Sequence, residues 1–328
     1  MSPEVVDLCL EYSHLHNFPI MIIASRNQVD HDSGYAFTTL GLTSHIRNNS
    51  YYSPDRVLVC RDHCGPYFSD LDQGLDLQEV TGRCIETMLA DIELGFDLIH
   101  IDVSKINPGV QEQIATTLFR VAIAANPNIM FEFGSEDNDS ENLVDSLARL
   151  HVQLKFAEAF SPNLKFIVSP TGSLTKHRQV GQFNPDMARE ATKLVHDAGF
   201  LFKEHNADYL TRYGVEMRIV NGIDALNVAP QLGCIQTAMM IKLGKDLGIP
   251  YYDFENYVLS QDYWKRWTTP EVIDPISRVI SAGHYSFNSI QATNLRAAIG
   301  DSFIDHLRPA VFSALDEYRL GLKTNENI

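Results

Sequence analysis

The stretch RVLVCRDHCGP, residues 56–66, places an aspartate and a histidine directly after a run of apolar residues. Residues 57–60 have the aliphatic composition of a strand that is buried on both faces, and Gly65 and Pro66 mark the turn that follows it. In parallel sheets, functional side chains collect where such strands end. The stretch therefore predicts a buried parallel strand with Asp62 and His63 at its carboxyl end.

The same pattern recurs along most of the chain. Seven apolar segments of strand length occur, at residues 18–25, 56–60, 98–104, 128–134, 164–170, 200–205 and 225–230. Segments of helical period lie between them, at residues 79–95, 109–126, 140–160 and 185–199. Strands that alternate with helices at this spacing predict an α/β fold with a parallel sheet and crossover helices.

Two folds fit such a sheet: an open doubly wound sheet and a closed (β/α)₈ barrel. Polar residues follow at least five of the predicted strands: Asn27 and Gln28, Asp62 and His63, Asp102, Glu132, and His205. In a barrel these ends converge on one mouth, whereas an open sheet concentrates its site at one switch point. The distribution favours a TIM (β/α)₈-type barrel over residues 1–249.

The last part of the chain has a different pattern. After residue 231 only helical periodicity is found, and it continues through the aromatic-rich stretch YWKRW at 263–267. We expect residues 250–328 to form a helical C-terminal extension that packs on the barrel or lies at a subunit interface.

Composition narrows the classes of function and the compartment. The 328 residues are 45% hydrophobic and carry a formal net charge of −16, which argues against nucleic-acid and anionic-membrane surfaces because phosphates would be repelled. No apolar run approaches the roughly 20 residues of a membrane helix. The odd number of cysteines, without a CxxC pair, predicts free thiols and a cytoplasmic protein; they are Cys9, Cys60, Cys64, Cys84 and Cys234.

Three histidines at the ends of different predicted strands suggest a metal site. His63, His177 and His205 would meet at the mouth of a barrel, although each one alone is more often a hydrogen-bonded structural residue. Three neutral imidazoles with one open position suit a catalytic Zn²⁺ or another divalent metal. No two of the three have the short spacing of a motif such as HExxH.

Carboxylates near that mouth are candidates for proton transfer and for binding substrate. Asp102 and Glu132 end apolar strands and could orient a metal ligand, hold a substrate hydroxyl or act as a base. The alternative is a buried carboxylate that only accepts structural hydrogen bonds. The Asp62–His63 pair likewise has an alternative, which is to cap the turn after its strand.

Two amides and one further histidine complete the set of candidates. Asn27 and Gln28 would suit the hydroxyl groups of a sugar. The alternative is that the side chains of this loop are only solvated, which applies most to the preceding residue, Arg26. His100 alternates within its apolar strand and is expected to face the helices rather than the mouth.

Five stretches resemble, in the same order, the landmarks of one family. They are ASRNQVDHDSGY, RVLVCRDHCGP, GFDLIHIDVS, FKEHNADYLTRY and YWKRW. The family is the subunit described as noncatalytic in class II D-tagatose-bisphosphate aldolase, related to zinc-dependent ketose-bisphosphate aldolases with (β/α)₈ folds. The resemblance covers nearly the whole chain. Family members begin with a strand that this chain lacks, which implies an open barrel, a barrel completed by a partner, or a start further upstream.

The resemblance implies roles for the residues at the mouth. The position of Asp62 moves the proton of the substrate's C4 hydroxyl, and the positions of His63, His177 and His205 bind zinc. Catalysis by Asp62 on a zinc-bound ketose is therefore what the resemblance predicts.

The resemblance extends to two further residues, and the chain also departs from the family in its loops. Glu132 is similar to an acidic position of the aldolases, and Asn227 matches the end of the last strand, which holds a phosphate or polar tail of the substrate. The glycine-rich phosphate loops of the family are replaced here by KHRQVG and EHNADY, residues 176–181 and 204–209. Phosphate binding by the backbone N–H groups of those loops is therefore not implied.

Three functions remain open at this level. The first is a metal-dependent class II aldolase-type lyase that cleaves or forms the C3–C4 bond of a ketose or ketose (bis)phosphate, such as tagatose 1,6-bisphosphate. The second is a ketose or keto-sugar-acid epimerase that uses the same metal site. The third is a noncatalytic subunit that stabilises a tagatose-bisphosphate aldolase, and the expected partners are a second copy of the chain or a catalytic aldolase subunit.

Overall fold

The sheet that the sequence predicts is present in the computed structural model, which describes residues 1–135, 143–169, 171, 181–268, 271 and 274–322. Nine strands occur in this part of the chain: β1 Ile20–Ser25, β2 Val29–Asp30, β3 Phe37–Thr38, β4 Val57–Asp62, β5 Leu98–Ile101, β6 Met130–Gly134, β7 Leu164–Val168, β8 Leu201–Glu204 and β9 Ala225–Leu226. Seven of them form one sheet, and β2 pairs only with β3.

Helices follow the strands and form the outer layer. Those in the described part are α1 Pro3–His16, α2 Thr39–Asn48, α3 Leu77–Glu93, α4 Pro108–Ala125, α5 Leu143–Ala157, α6 Pro185–Asp197, α7 Arg212–Ile219, α8 Gln231–Asp246, α9 Tyr252–Ser260, α10 Pro275–Ala282, α11 Ile290–Ile299 and α12 Ser302–Leu322. Local sequence sets several starts: Asp76 and Glu79 form a capping box on α3, and Asn107 caps α4 ahead of Pro108.

The seven-stranded sheet is parallel and strongly curled. Its order is β1-β4-β5-β6-β7-β8-β9, with every neighbouring pair parallel. In a flat sheet β1 and β8, five strands apart, would be separated by about 24 Å. Lys203 Nζ on β8 nevertheless lies 4.0 Å from Met21 Sδ on β1. The sheet therefore wraps around an interior, as a barrel does.

The curled sheet does not close among the described residues. β1 pairs only with β4 and β9 only with β8, so a seam separates the first and last strands. A cavity of about 550 Å³ occupies this seam. It extends from Phe18 and Pro54, at the amino ends of the strands, to Gln28 and Asn227 at their carboxyl ends. Over the described residues the sheet is therefore a curled sheet of seven strands, consistent with a TIM-like barrel that is not fully closed.

Apolar side chains pack in several clusters on both faces of the sheet and among the helices. Inside the curl, Cys60, Leu98 and Phe166 are buried together. Outside it, a large cluster joins the sheet to helices α3 to α6. A third cluster joins α8 to helices α9 to α12 and includes Leu8 of α1. The helices after residue 250 therefore pack on the barrel through α8 and α1, and the domain boundary at residue 249 stays a prediction.

All seven predicted strands belong to the curled sheet, and the predicted helices at 79–95, 109–126, 140–160 and 185–199 correspond to α3, α4, α5 and α6. The strands β2 and β3 were not predicted because two residues are too few to show a period. All five cysteines are buried free thiols, as predicted. Among the described residues, no helix combines the length and the apolar character needed to cross a bilayer.

Candidate metal centre

The carboxyl end of β4 is held in an unusual backbone conformation. β4 ends at Asp62, and the next residue, His63, has a φ of 43°, in the left-handed region that non-glycine residues seldom occupy. Two residues on, a side chain at Gly65 would overlap the backbone carbonyl of Asp102. Glycine at this position lets the turn after β4 pack directly against the end of β5, which fixes where His63 points.

Four side chains from three strands meet inside the curl. Asp62, His63, His100 and His205 each offer one potential ligand atom, and these atoms all lie within 4.8 Å of one another. The ring centroids are 5.0 Å apart for His63 and His100, 5.5 Å for His63 and His205, and 5.1 Å for His100 and His205. In a flat sheet β4 and β8 would be about 19 Å apart, so only the curl creates this cluster.

Asp102 holds the outer nitrogen of His63. Its Oδ2 lies 2.8 Å from His63 Nδ1, while its Oδ1 accepts a hydrogen bond from the Ser104 backbone N–H at 2.9 Å. A carboxylate oxygen only accepts hydrogen bonds, so His63 Nδ1 carries the proton in this contact. The histidine thus has the carboxylate support that metal-binding imidazoles usually have.

The other two imidazoles are held in the same way. His100 Nε2 lies 2.9 Å from the carbonyl oxygen of Gly134, and His205 Nε2 lies 2.6 Å from Glu132 Oε1. Both partners are acceptors, so each Nε2 carries a proton in these contacts. All three imidazoles are therefore held by an acceptor at one ring nitrogen, and in its neutral form each ring could bind a metal through the other nitrogen.

A buried ion pair lies next to His205. Lys203 Nζ is 2.6 Å from Glu132 Oε2, and both side chains are almost completely buried. Burial opposes the charge of each group, but Lys203 and the imidazoles of His100 and His205 hold the pKa of Glu132 below its usual value. Glu132 in turn raises the pKa of Lys203. The pair stays ionised, and Glu132 can hold His205 and Lys203 at once.

Asp62 is also ionised. Burial by itself would raise its pKa, but His63, His100 and His205 together hold the pKa of Asp62 well below the usual value. Its Oδ1 lies 3.3 Å from His100 Nδ1 and 3.7 Å from His63 Nε2. Asp62 is therefore deprotonated near neutral pH.

The loop after β4 covers the cluster from outside. The Phe68 ring stacks on His63 with 4.7 Å between the centroids and 8° between the planes. Lys105 Nζ lies 4.0 Å from the centroid of Phe68. Asp72 anchors the loop by accepting hydrogen bonds from Tyr67 N and from the buried Arg26 guanidinium. Arg26 is therefore a structural residue and is not solvated.

The remaining predicted residues lie around the cluster or outside the described residues. Asn27 holds the loop after β4, since its Oδ1 accepts a hydrogen bond from Asp70 N at 2.8 Å. Gln28 Oε1 accepts one from Ser25 N at 2.9 Å, and Gln28 and Asn227 both line the seam cavity. His177 lies outside the described residues.

Sequence reasoning missed two residues of this site. His100 was expected to face the helices, but it is completely buried inside the curl because it shares a face with Asp102, two residues on. Lys203 shares a face with His205 for the same reason. Side chains alternate between the two faces of a strand, so the residue two positions before a predicted mouth residue also faces inward. This rule would have identified His100 from Asp102 and Lys203 from His205.

The donor set fits a divalent transition metal. Three imidazoles with fixed outer nitrogens and one ionised carboxylate suit Zn²⁺ and similar ions, which prefer nitrogen ligands of this kind. The groups converge within 4.8 Å, so they could reach one ion without a rearrangement of the strands. The residues present therefore fit the predicted divalent metal.

Comparisons with known proteins support the fold. No family model matches the chain. The structure is similar to that of a protein described as a probable tagatose 6-phosphate kinase from Sinorhizobium meliloti 1021, with a TM-score of 0.76, 18% identity, and coverage of 98% of this chain and 94% of that chain. It is also similar to a fructose-bisphosphate aldolase from Campylobacter jejuni, with a TM-score of 0.56, 13% identity, and coverage of 96% and 88%. At these identities the likeness establishes the fold alone.

Proposed function

We propose that this chain is a metal-dependent lyase of the class II aldolase type, which cleaves or forms the C3–C4 bond of a ketose or ketose phosphate. The observation that carries the proposal is the convergence of His63, His100 and His205 with the ionised Asp62. Such a site combines ligands for a Lewis acid with an adjacent base. The structural likeness to a fructose-bisphosphate aldolase supports the same choice at the level of the fold.

His63 and His205 are the two proposed metal ligands that belong to the described cluster. A bound Zn²⁺ or other divalent ion would polarise the ketose carbonyl and balance the negative charge that develops as the C3–C4 bond breaks. Asp102 and Glu132 orient the two imidazoles by accepting their outer N–H groups. The predicted direct catalytic role of Glu132 thereby becomes a positioning role in this proposal.

Asp62 is the proposed base. As a carboxylate it would accept the proton of the substrate's C4 hydroxyl, whereupon the C4–O bond becomes a carbonyl and the electrons of the C3–C4 bond remain on the C3 fragment. In the direction of condensation the same group returns the proton to the C4 oxygen. Gln28 and Asn227 line the adjoining cavity, where they would contact the polar end of the sugar.

Replacement of the base tests the proposal. We expect Asp62→Asn to lower kcat for retro-aldol cleavage by roughly 10²- to 10⁴-fold, because the amide cannot accept the hydroxyl proton. The assay is release of two shorter carbonyl compounds from a panel of ketoses and ketose phosphates by the metal-loaded protein. Asp305→Asn, on the exposed face of α12, is the matched control. Full activity of Asp62→Asn would contradict the mechanism.

An epimerase is the second candidate, favoured by the absence of glycine-rich phosphate loops from the sequence. It would use the same base and ligands but release no fragments, so isomeric sugars without shorter carbonyl products would identify it. A noncatalytic subunit would bind metal yet show turnover only after addition of a catalytic aldolase. Either result would replace the lyase proposal.

A further inference from the structure

One landmark of the sequence has no part in the proposed function: the stretch YWKRW, residues 263–267, in the C-terminal helical region after residue 250. We propose that Arg266 of this stretch is a positioning residue. Through Asp70 it fixes the loop after β4, and with that loop the Phe68 ring that stacks on His63. The inference rests on the proposed function for the chemistry of the site, but the contacts that carry it do not depend on the reaction.

An ion pair joins the C-terminal region to that loop. Arg266 ends a 3₁₀ turn over Tyr263–Arg266, and its Nη2 lies 2.9 Å from each carboxylate oxygen of Asp70. Both side chains are partly exposed, at 44% for Arg266 and 39% for Asp70. Exposed pairs of this kind usually stabilise a protein little, in part because two flexible side chains must lose their freedom. The contribution of the pair therefore depends on how firmly each partner is already held.

Aromatic rings hold the guanidinium of Arg266 independently of Asp70. Its central carbon lies 5.1 Å from the ring centroid of Tyr263 and 5.9 Å from that of Tyr285. These two rings stack on each other with centroids 4.5 Å apart, and Tyr285 Oη accepts a hydrogen bond from Trp267 Nε1 at 3.1 Å. A planar cation that packs on fixed rings loses little further freedom when it binds a carboxylate. Arg266 is thus preorganised for the contact with Asp70.

Asp70 connects this contact to the ring on His63. It begins the short 3₁₀ helix Asp70–Asp72, two residues after Phe68. Its backbone N–H donates to Asn27 Oδ1 at 2.8 Å, and Asn27 Nδ2 donates to the carbonyl oxygen of Phe68 at 3.4 Å. The Phe68 ring in turn lies 4.7 Å from the His63 ring, with 8° between the planes. A displacement of Asp70 is therefore transmitted to Phe68 both through the backbone and through Asn27.

The competing explanation is that Asp72 alone fixes the loop. Asp72 is buried. Its Oδ2 accepts hydrogen bonds from the backbone N–H groups of Tyr67 and Ser69, which flank Phe68. These two contacts are long, at 3.2 and 3.4 Å, and the same oxygen also accepts a hydrogen bond from Arg26 at 2.7 Å. One oxygen that is shared among three donors is a weak anchor for the backbone.

The backbone of the loop needs further support because it is strained. Tyr67 has a φ of 66°, in the left-handed region that residues with a side chain seldom occupy. Such a conformation persists only where the surrounding contacts hold it. On the carboxyl side of Phe68, the contacts of Asp70 are shorter, at 2.8 Å to Asn27 and 2.9 Å to Arg266. Arg266 is therefore part of what holds the Phe68 ring over His63.

The test follows the stack of Phe68 on His63 by NMR, in the full-length protein with ¹³C-labelled histidine at one fixed pH. The ring C–H resonance of His63, assigned by its loss in His63→Gln, carries a ring-current shift from Phe68, and Phe68→Leu shows the full size of that shift. We expect Arg266→Gln to remove at least roughly a quarter of it, because the stacked loop becomes one of several populated conformations. An unchanged resonance in the folded variant would overturn the inference.

Two further variants separate the ion pair from general effects. Lys265→Gln is the matched control: it removes a cation of the same stretch, one that pairs with Asp262 at 2.6 Å, and it should leave the His63 resonance unchanged. Asp70→Ala should produce the same change as Arg266→Gln, and the double variant should add nothing to it. An equal effect of Lys265→Gln, or additive effects of the two substitutions in the pair, would contradict the proposed role. Circular dichroism checks the fold of each variant, and Asp70→Ala can carry the test alone.

The inference and the proposed function fail in different ways. A His63 resonance that depends on Arg266, in a protein that cleaves no ketose, would refute the proposed function and support the positioning role. Lyase activity together with an unchanged His63 resonance in Arg266→Gln would refute the positioning role alone.

Discussion

Hydrogen bonds to single nitrogen atoms determine what the three clustered histidines can do. Asp102, Gly134 and Glu132 each accept the outer N–H of one imidazole. A carboxylate in such a position raises the basicity of the ring and fixes its tautomer. One oxygen of Glu132 contacts His205 and the other contacts Lys203. A direct role of Glu132 in proton transfer stays a prediction.

A fourth histidine, far from the cluster, links stability to pH. His284 lies in a 3₁₀ turn between α10 and α11, and burial lowers its pKa from 6.5 to about 3. Its Nδ1 has no hydrogen-bond partner among the described residues. The folded protein therefore keeps this ring neutral at pH values where the unfolded chain is protonated.

Acid should destabilise the protein through this residue. The pKa of His284 is lower in the folded state, so between pH 6.5 and about 3 the unfolded state binds a proton that the folded state does not. The free energy of unfolding is therefore highest above pH 6.5, as far as His284 is concerned, and decreases as the pH falls below that value. We expect His284→Phe to reduce the slope of unfolding free energy against pH by about 1 kcal/mol per pH unit between pH 6 and 4.5. Urea denaturation at several pH values measures it.

The exposed His306 provides the control for this prediction. His306→Gln, on α12, should leave the slope nearly unchanged. Equal slopes for the wild type and His284→Phe would mean that the buried ring already becomes protonated in the folded state.

Among the strands, position in the curled sheet decides how well each one is protected. β4 to β8 have a strand partner on both sides, whereas β1 and β9 have one partner each and border the seam cavity. On β1, the Ser25 backbone N–H donates to the side-chain oxygen Gln28 Oε1. An edge of this kind is the weakest part of a parallel sheet.

Hydrogen exchange should reveal the seam. We expect backbone amides of β1, Ile20–Ser25, to exchange at least roughly tenfold faster than those of β5, Leu98–Ile101, because β5 is paired on both sides. Mass spectrometry of peptides that cover the two strands measures the difference. Equal protection would indicate that another polypeptide segment completes the barrel in solution.

At the scale of the whole molecule, the C-terminal helices share a core with the barrel. Met240, Ile241 and Leu243 of α8 pack in one cluster with Phe254 of α9 and Leu295 of α11. Gly244 of α8 leaves room for Tyr251 and Leu295 close to the helix. Helices α9 and α11 thus share an apolar core with α8.

Removal of the extension tests how far the barrel depends on it. A chain that ends at residue 249 should lose its cooperative thermal transition, because the apolar face of α8 would be exposed to water. Calorimetry and near-UV circular dichroism of this chain and of the full-length protein make the comparison. A cooperative transition in the shorter chain would instead support residues 1–249 as an independent domain.

Much of the site could be predicted from strand ends. Asp62, His63, Asp102, Glu132 and His205 were chosen because each follows or ends an apolar strand, and all five either belong to the cluster or contact one of its histidines. These residues lie close together because parallel strands present their carboxyl ends on the same side of the sheet, and their roles stay predictions.

The other residues of the site could not be assigned from the positions of strand ends. Asn27 also follows a strand, but its side chain is used by a loop whose path is not encoded by any period. His100 and Lys203 lie one inward position deeper in their strands than the mouth residues, where an apolar side chain is the usual choice.

Local hydrophobic period and chain direction were enough to predict the parallel sheet, the order of its helices and most of the polar strand ends. Only the folded molecule shows how the sheet curls, that it stays open at one seam over the described residues, and that His63, His100 and His205 have ring centroids 5.0 to 5.5 Å apart. Curl and closure depend on the packing and twist of all the strands together, so no single stretch of sequence predicts them.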